Sequence, residues 1–428
     1  RVTTVWALLG LYYVLPWINW GGRQIVLFDL PARKFYVFGM VFWPQDFILL
    51  TGLLIIAALT LFFVTALAGR LWCGYACPQT VWTEAFIWLE RLAEGPAIKR
   101  KKRDRGPMTR EKLVRKSIKQ FLWIAFALWT GFTFVGYFSP IRELGPALVS
   151  LNLGFWETFW IAFYGLATYG NAGFLREQVC KYMCPYARFQ GAMFDRDTMV
   201  ISYDESRGEP RGPRSRKVDP AEKGLGDCID CTLCVQVCPT GIDIREGLQY
   251  ECIGCAACID ACDSVMDKMN YPRGLIRYTT QRSLEGEPTR VWRPRIFIYA
   301  ALLLALVGVW TFGVFSRPDV TLDVMRDRNA MFRTATSGDI ENSYTIRAIN
   351  RTEAAHAYRL EVAGIQGIRL VGDASVELAP GSVGSMPATV AVPEEHAAGG
   401  HRIRFILVAT DAPNLSTEET ARFIGPLQ

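Results

Sequence analysis

Five long stretches without a charged residue limit what this chain can fold into. They cover residues 3–20, 47–69, 121–141, 158–175 and 296–316. Each is close to the ~20 residues that an α-helix needs to cross the hydrocarbon core of a bilayer. We therefore predict an integral membrane protein with about five helical spans.

For the first stretch, a cleaved signal peptide is the alternative to a span. No run of basic residues precedes residues 3–20, and no small-residue cleavage site follows Asn19, Trp20 and Gly21. A span is the favoured interpretation, although Pro16 interrupts the stretch. The fourth stretch, residues 158–175, is short and rich in glycine.

The distribution of Lys and Arg predicts the orientation of the spans. Residues 94–116 contain ten basic and three acidic residues, whereas residues 142–157 contain one basic residue, Arg142. We expect residues 94–116 and 176–295 to be cytoplasmic and residues 317–428 to be periplasmic. Because the basic run lies beside two predicted spans, it is explained without a nucleic-acid partner.

A short cysteine motif occurs twice near the membrane. Cys73-Gly-Tyr-Ala-Cys77-Pro78 follows the second stretch, and Cys180-Lys-Tyr-Met-Cys184-Pro185 follows the fourth, 107 residues later. An apolar segment follows each motif, at residues 81–93 and 186–200. The repeat predicts two equivalent units, each made of a span, a cysteine pair and an interfacial helix.

The other eight cysteines form two runs with the spacing C-x2-C-x2-C-x3-C. The first run is Cys228, Cys231, Cys234 and Cys238, and the second is Cys252, Cys255, Cys258 and Cys262. In two-cluster ferredoxins with this spacing, the fourth cysteine of each run ligates the other cluster. We therefore predict two [4Fe-4S] clusters with crossed ligands. One is assigned to Cys228, Cys231, Cys234 and Cys262, and the other to Cys252, Cys255, Cys258 and Cys238.

Zinc and disulfides are the rival interpretations of the eight cysteines. Structural zinc sites use separated C-x2-C pairs rather than a third cysteine at the same interval. Disulfides seldom persist in the reducing cytoplasm, where this segment is predicted to lie. In the second run, Asp263 stands where the first run has Pro239, which leaves the local turn there uncertain.

For the membrane-edge cysteines, Cys73, Cys77, Cys180 and Cys184, several roles stay open. Free cysteines at helix ends are often packing residues, but their repetition favours a metal or redox role. Four thiols at one place could hold a further cluster, bind copper or cycle as dithiols.

Other cofactors have little support in the sequence. None of the five stretches contains a histidine that could ligate haem b. We find no glycine-rich nucleotide loop after a predicted strand, so electrons are expected to come from a partner. His356, His396 and His401 are expected to be solvated surface residues.

The composition of the chain predicts a multidomain fold. A membrane domain at 1–200 is followed by a linker at 201–226, much of it Gly, Pro, Arg and Lys, and by a ferredoxin-like domain at 227–293. The last membrane helix is predicted at 294–317. Residues 318–428 alternate apolar and polar residues in five short segments, which is typical of an all-β immunoglobulin-like sandwich. Those segments are 343–348, 358–362, 375–378, 389–392 and 402–408.

The motifs together resemble the cytochrome c oxidase accessory protein family CcoG, also called FixG or RdxA. The resemblance covers nearly the whole chain, including the Asn270-Tyr-Pro-Arg-Gly-Leu-Ile-Arg-Tyr278 stretch and the immunoglobulin-like tail. Similar cysteine motifs occur in membrane polyferredoxins of nitrate and nitrous oxide respiration, which the tail distinguishes from this family.

This resemblance implies a bacterial inner-membrane protein that reduces Cu(II) to Cu(I) and supports assembly of the copper centre of cbb3-type cytochrome oxidase. Its partners would be membrane lipid, copper ion, a cytoplasmic electron donor and copper chaperones or oxidase assembly factors. A [4Fe-4S] cluster carries one electron, and thiolate sulfur favours Cu(I). The membrane-edge cysteines are therefore the candidate copper contacts.

Two other functions remain open from the sequence. The first is an electron relay from quinol or another donor to a periplasmic partner, which would need cofactors across the membrane. The second is a non-redox assembly scaffold with structural clusters. Redox titration would distinguish them, because a reductase must cycle its clusters and a scaffold need not.

Overall fold

The computed structural model describes residues 2–216, 223–328, 330–352, 354–372 and 374–426, without the side chains of residues 97 and 98. The chain forms two units, Arg1–Trp310 and Thr311–Gln428. All twelve cysteines belong to the first unit, and the second is mainly β-structure.

The chain up to residue 315 consists mainly of helices. They are α1 Val2–Val14, α2 Phe47–Ala68, α3 Leu71–Tyr75, α4 Pro78–Glu94, α5 Ala97–Arg105, α6 Arg110–Val135, α7 Ile141–Val149, α8 Phe155–Thr168, α9 Tyr186–Met193, α10 Glu205–Gly208, α11 Leu233–Gln236, α12 Ala257–Met269, α13 Gln281–Leu284 and α14 Pro294–Phe315. The strands here are β1 Asn19–Trp20, β2 Arg23–Gln24, β3 Val26–Asp29, β4 Lys34–Val37, β5 Met40–Phe42, β6 Val200–Tyr203 and β7 Ile276–Thr279. The small sheets formed by β1 to β5 were not predicted from the sequence.

Within the described residues, three helical segments are long and apolar enough to cross a membrane. They are Pro44–Ala68, Arg110–Val135 and Pro294–Phe315, which coincide with the second, third and fifth apolar stretches. The first and last bury almost none of their apolar side chains inside the chain. Helices that are apolar on all sides and unburied fit a lipid environment.

The other two stretches form helices that are shorter or less regular, and their crossing of the membrane stays a prediction. The first forms a shorter apolar helix, Val2–Trp17, whose last turn is a 3₁₀ turn at Leu15–Trp17. Pro16 lies in that turn, and proline cannot continue α-helical hydrogen bonding because it lacks a backbone N–H. The fourth forms α8, which has 14 residues and continues as a wider π-helix over Tyr169–Leu175.

The cysteine-rich domain is closed by the strand pair β6 and β7. These strands are antiparallel, with Val200 opposite Thr279 and Tyr203 opposite Ile276. Residues 201–203, at the start of the predicted linker 201–226, belong to a strand of this domain. Ile201, Met266, Leu275 and Ile276 are buried in its core.

The structure also resolves the uncertainty at Asp263. Helix α12 continues through this residue, so the second cysteine run ends inside a helix, whereas the first run ends after the short helix α11. The Asp263 carboxylate accepts a hydrogen bond from the backbone N of Gly274 at 3.0 Å. A proline at this position could not accept that bond.

The second unit is a two-sheet sandwich of immunoglobulin type, as predicted. Its strands are β8 Val320–Arg326, β9 Arg333–Thr334, β10 Ile340–Asn350, β11 His356–Ala363, β12 Arg369–Val371, β13 Ser375–Leu378, β14 Val383–Val392, β15 Gly400–Ala409 and β16 Ser416–Ile424, with the short helix α15 Glu394–Ala397. One sheet has the order β12-β14-β10-β8, with β9 paired to β10, and the other has the order β13-β11-β15-β16. Tyr344, Tyr358, Phe405 and Phe423 are buried between the sheets. All five predicted segments lie within strands.

Candidate metal centres

Two small cavities in the cysteine-rich domain are each lined by cysteines from both runs. Cavity A is lined by Cys228, Cys231, Cys234 and Cys262. Cavity B is lined by Cys238, Cys252, Cys255 and Cys258, with Cys234 also at its wall. This grouping is the one that the crossed assignment predicts, and the shared Cys234 makes the two cavities neighbours.

The donor set of each cavity fits a cluster better than a single ion. None of the twelve cysteines forms a disulfide, so no disulfide competes for the thiols. Zinc needs its sulfur ligands at about 2.3 Å, whereas thiols spread around a cavity suit an iron–sulfur cube.

Both runs use the same backbone conformation around their second cysteine. Asp230 and Thr232 flank Cys231 with φ of 51° and 55°, and Gly254 and Ala256 flank Cys255 with φ of 67° and 61°. Positive φ is uncommon for residues other than glycine. Its repetition at matched positions indicates that the backbone of each run is shaped to curve around its cavity.

Burial keeps the metal-free thiols protonated. It raises the pKa of Cys252 to about 11 and that of Cys262 to about 12, and neighbouring cysteines raise both further. Cysteine ligates iron as a thiolate, so cluster binding must displace these protons. In a bound cluster, the positive charge of iron would stabilise the negatively charged thiolates, which the apolar walls of the cavities cannot do.

The lining of cavity A includes a buried cation. Arg245 lines cavity A, and its side chain is 7% exposed. It forms ion pairs of 2.6 Å with Asp243 and with Asp230, and its hydrogen bonds to these carboxylates raise its pKa, so it stays charged. The walls of cavity B contain only cysteine, aliphatic side chains, Pro239 and Thr240.

We expect Arg245→Gln to lower the reduction potential of the cluster in cavity A by on the order of 50 mV, because a nearby positive charge favours the reduced state. The cluster in cavity B should change less. Potentiometric titration followed by electron paramagnetic resonance (EPR) would measure both. Arg273→Gln is the matched control, since Arg273 is exposed on the same domain. Equal shifts in both clusters would contradict the assignment.

The four membrane-edge cysteines come together at the ends of the two repeated motifs, and we call them the thiol quartet. Cys73 lies in α3, Cys77 precedes α4, Cys180 lies in the π-turn Val179–Met183, and Cys184 follows that turn. Burial raises the pKa of Cys73 to about 11 and that of Cys180 to about 12. The other members of the quartet raise the pKa of Cys180 further, which places all four thiols within electrostatic reach.

Polar side chains hold the quartet in place. The Cys73 thiol donates to Oε1 of the fully buried Gln190 at 3.4 Å, and Thr80 Oγ1 donates to the Cys73 carbonyl at 2.6 Å. Gln79 Nε2 donates to the carbonyls of Asn171 and Arg176. These bonds connect α4, which follows the first motif, to the segment that leads into the second.

A cleft of about 720 Å³ lies beside the quartet. The membrane-edge Cys180 and the cavity B residue Cys255 both line it, together with Gln79, Glu177 and Asp260. Burial raises the pKa of the Glu177 carboxyl. One solvent-accessible space therefore borders both kinds of cysteine site.

Comparison with protein families supports this description. Residues 175–281 match a 4Fe-4S dicluster domain, residues 50–102 match a 4Fe-4S binding domain, and residues 310–426 match the Ig-like fold at the C-terminus of FixG. The 50–102 match contains Cys73 and Cys77 as its only cysteines.

Three similar proteins cover most of the chain. The nitrogen fixation protein FixG of Rhizobium meliloti (strain 1021) is 36% identical over 86% of this chain and 78% of its own length. The chain belongs to the FixG/Rdx family. Protein RdxA of Cereibacter sphaeroides is 41% identical over 84% of this chain and 79% of its own, and RdxB of the same organism is 41% identical over 89% and 82%.

A solved structure is also similar over a small part. The crystal structure of a FixG-related protein from Vibrio parahaemolyticus covers 26% of this chain and 100% of that chain, with 29% identity and a TM-score of 0.24. A score this low does not support a comparison of the folds.

As a member of the FixG/Rdx family, the chain is a membrane iron–sulfur protein that carries two [4Fe-4S] clusters and transfers electrons as an oxidoreductase. The family resemblance and the fold class inferred from the sequence are thereby confirmed. The ligand of the quartet, the membrane orientation and the partners stay predictions.

Several residues around the sites were missed by the sequence reasoning. The loop of cavity B contains Gly254 and is contacted by Arg70, Gly74 and Tyr278. Arg245 lies against cavity A. The sequence contains one signal that could have singled out Gly74. The residue after the first cysteine of the motif is Gly74 in the first repeat but Lys181 in the second. The remaining contacts join distant segments and leave no local pattern.

Proposed function

We propose that this FixG/Rdx protein reduces Cu(II) to Cu(I) for delivery during assembly of a cbb3-type cytochrome oxidase. The observation that carries this proposal is the shared cleft, which is lined by Cys180 of the quartet and by Cys255 of cavity B. A substrate ion in that cleft would lie between a soft thiol ligand and a source of single electrons.

Each set of residues has a distinct task in this reaction. Cys228, Cys231, Cys234 and Cys262 would hold one cluster, and Cys238, Cys252, Cys255 and Cys258 the other. A bound [4Fe-4S] cluster supplies a one-electron couple, and reduction of Cu(II) to Cu(I) consumes one electron. The quartet, Cys73, Cys77, Cys180 and Cys184, binds the product, because thiolates prefer Cu(I) to Cu(II).

The setting of the reaction is part of the proposal. The basic residues 94–116 favour a cytoplasmic position for the cysteine sites in a bacterial inner membrane, with the β-sandwich in the periplasm. A cytoplasmic donor then supplies the electrons, and a copper chaperone or an oxidase assembly factor receives the Cu(I).

Replacing all four quartet cysteines by alanine tests the proposal. We expect Cu(II) reduction to fall by roughly 100-fold or more, since even outer-shell changes at metal sites cost about 10–100-fold. A colorimetric Cu(I) chelator measures the rate in anaerobically purified protein that has been reduced with dithionite and then freed of it. Tyr182→Ala is the matched control, because this exposed side chain lies in the same turn as Cys180.

Iron analysis of the same samples separates the outcomes. Wild type and variant should both hold about eight iron atoms per chain. Undiminished Cu(II) reduction in the fully loaded variant would refute the proposal. A fall from about twelve to about eight iron atoms would instead assign a further cluster to the quartet, and clusters that Cu(II) cannot reoxidise would favour a scaffold.

A further inference from the structure

We infer that Gly74 and Gly254 form the contact through which the electron passes from cavity B to the thiol quartet, with Arg70 as the residue that positions the two loops. This inference rests on the proposed function, because it concerns the route by which Cu(II) is reduced. It assigns roles to three residues that are not themselves metal ligands.

The contact between the two glycines is made by backbone alone. A Cβ added to Gly74 would lie 2.3 Å from the carbonyl oxygen of Gly254 and 3.0 Å from the backbone N of Cys255. Any side chain at residue 74 would therefore force the two loops apart. Gly74 directly follows Cys73, and Gly254 directly precedes Cys255, so this non-bonded contact brings together the neighbours of a quartet cysteine and a cavity B cysteine.

Arg70 fixes the cavity B loop against the first repeat motif. It is 5% exposed, and its Nη1 donates to the carbonyl of Cys252 at 3.0 Å and to that of Tyr250. Its Nη2 donates to the carbonyl of Ala187, which follows the second motif. The Tyr278 hydroxyl also donates to the Gly254 carbonyl. One guanidinium thus ties both repeats to the loop that carries Cys252 and Cys255.

The second motif makes a corresponding contact. Lys181 occupies the same motif position as Gly74, and its Nζ donates to the carbonyl of Thr240 at 2.9 Å. Thr240 lines cavity B and its hydroxyl lies 3.3 Å from the Cys238 sulfur. Both motifs therefore contact loops that carry cavity B cysteines. Along the inferred electron route, the three sites follow in the order cavity A, cavity B, quartet.

The electron balance of this step is simple. A cluster held by Cys238, Cys252, Cys255 and Cys258 would supply one electron, Gly254 and Gly74 would form the contact between Cys255 and Cys73, and one Cu(II) at the quartet would be reduced to Cu(I). No covalent bond of the protein forms or breaks.

Gly74→Ala tests the route directly. We expect reoxidation of the reduced clusters by one equivalent of Cu(II) to slow by at least about tenfold, since a displacement near 1 Å can cost up to about 100-fold in a positioned reaction. Stopped-flow absorbance follows the clusters, and iron content and reduction potentials should match wild type. Gly191→Ala is the matched control, because a Cβ there meets no atom within 4 Å, and its rate should stay within about twofold of wild type.

A second measurement does not depend on copper reduction. Co(II) binds thiolates but is not reduced, so in the quartet it should speed the EPR relaxation of the cavity B cluster more than that of the cavity A cluster. Gly74→Ala should weaken this effect. A stronger effect on the cavity A cluster, a quartet that binds no Co(II), or a wild-type transfer rate in Gly74→Ala would overturn the inference.

Failure of the inference is distinguishable from failure of the proposed function. If wild-type clusters are not reoxidised by Cu(II), the proposed function fails, while the Co(II) measurement still decides the order of the sites. If Gly74→Ala loses iron, Arg70→Lys replaces it as the test, because it keeps the charge and removes the forked hydrogen bonds. Transfer in Arg70→Lys at the wild-type rate, with full iron content, would then refute the role of this loop contact.

Discussion

Replacing Cys262 by serine should remove the same cluster as replacing Cys228, although Cys262 lies in the second cysteine run. Both residues line cavity A, and each variant should lose about four of about eight iron atoms. The double variant should lose no more than either single variant. Iron analysis and EPR of anaerobically purified protein would measure the loss.

The complementary pair provides the control. Cys238→Ser and Cys252→Ser should both remove the cluster of cavity B, and combining Cys262→Ser with Cys252→Ser should remove nearly all iron. If Cys262→Ser instead affected the same EPR signal as Cys252→Ser, each run would hold its own cluster and the crossed assignment would be wrong.

Phe405→Ala should destabilise the immunoglobulin-like unit by about 3–5 kcal/mol, the usual cost of removing a buried aromatic ring. Phe405 is fully buried, and its ring packs edge to face on Tyr344 with centroids 4.9 Å apart. Pulse proteolysis of the full chain in urea would report the free energy of unfolding of this unit.

Val383→Ala is the matched control for that variant, since Val383 is about half exposed in the same unit and should change stability by less than about 0.5 kcal/mol. Iron content should be unaffected in both variants. Equal effects of the two substitutions would show that the core identified here does not stabilise the sandwich.

Local patterns explain which parts of the fold could be predicted. The apolar stretches and the repeated cysteine spacing are properties of short segments, so α2, α6, α14 and the two cysteine runs were recognisable. The grouping of the eight cysteines around the two cavities was predicted from the known exchange of the fourth ligand in two-cluster ferredoxins. The sequence itself shows no contact between the two runs. Strand β16 was missed because it exposes most of its residues and lacks clear alternation.

The contacts between domains could not be predicted in the same way. Gly74 and Gly254 are 180 residues apart, and nothing in either local sequence indicates that their backbones meet. The start of the π-turn that carries Cys180 was also invisible, because π-helical hydrogen bonds have no characteristic composition. Sequence reasoning proposed the ligands, whereas the positioning residues required the three-dimensional structure.

The pairing of β6 with β7 has a consequence for how such proteins can diversify. The polypeptide enters the iron–sulfur module at Val200 and leaves it at Thr279, and these two residues are opposite each other in the strand pair. A module whose entry and exit lie side by side behaves as a cassette, because it can be exchanged for a larger electron-carrying domain without separating the flanking membrane helices. Grafting a foreign two-cluster ferredoxin between these strands is therefore a practical route to a chimaera with altered redox potential.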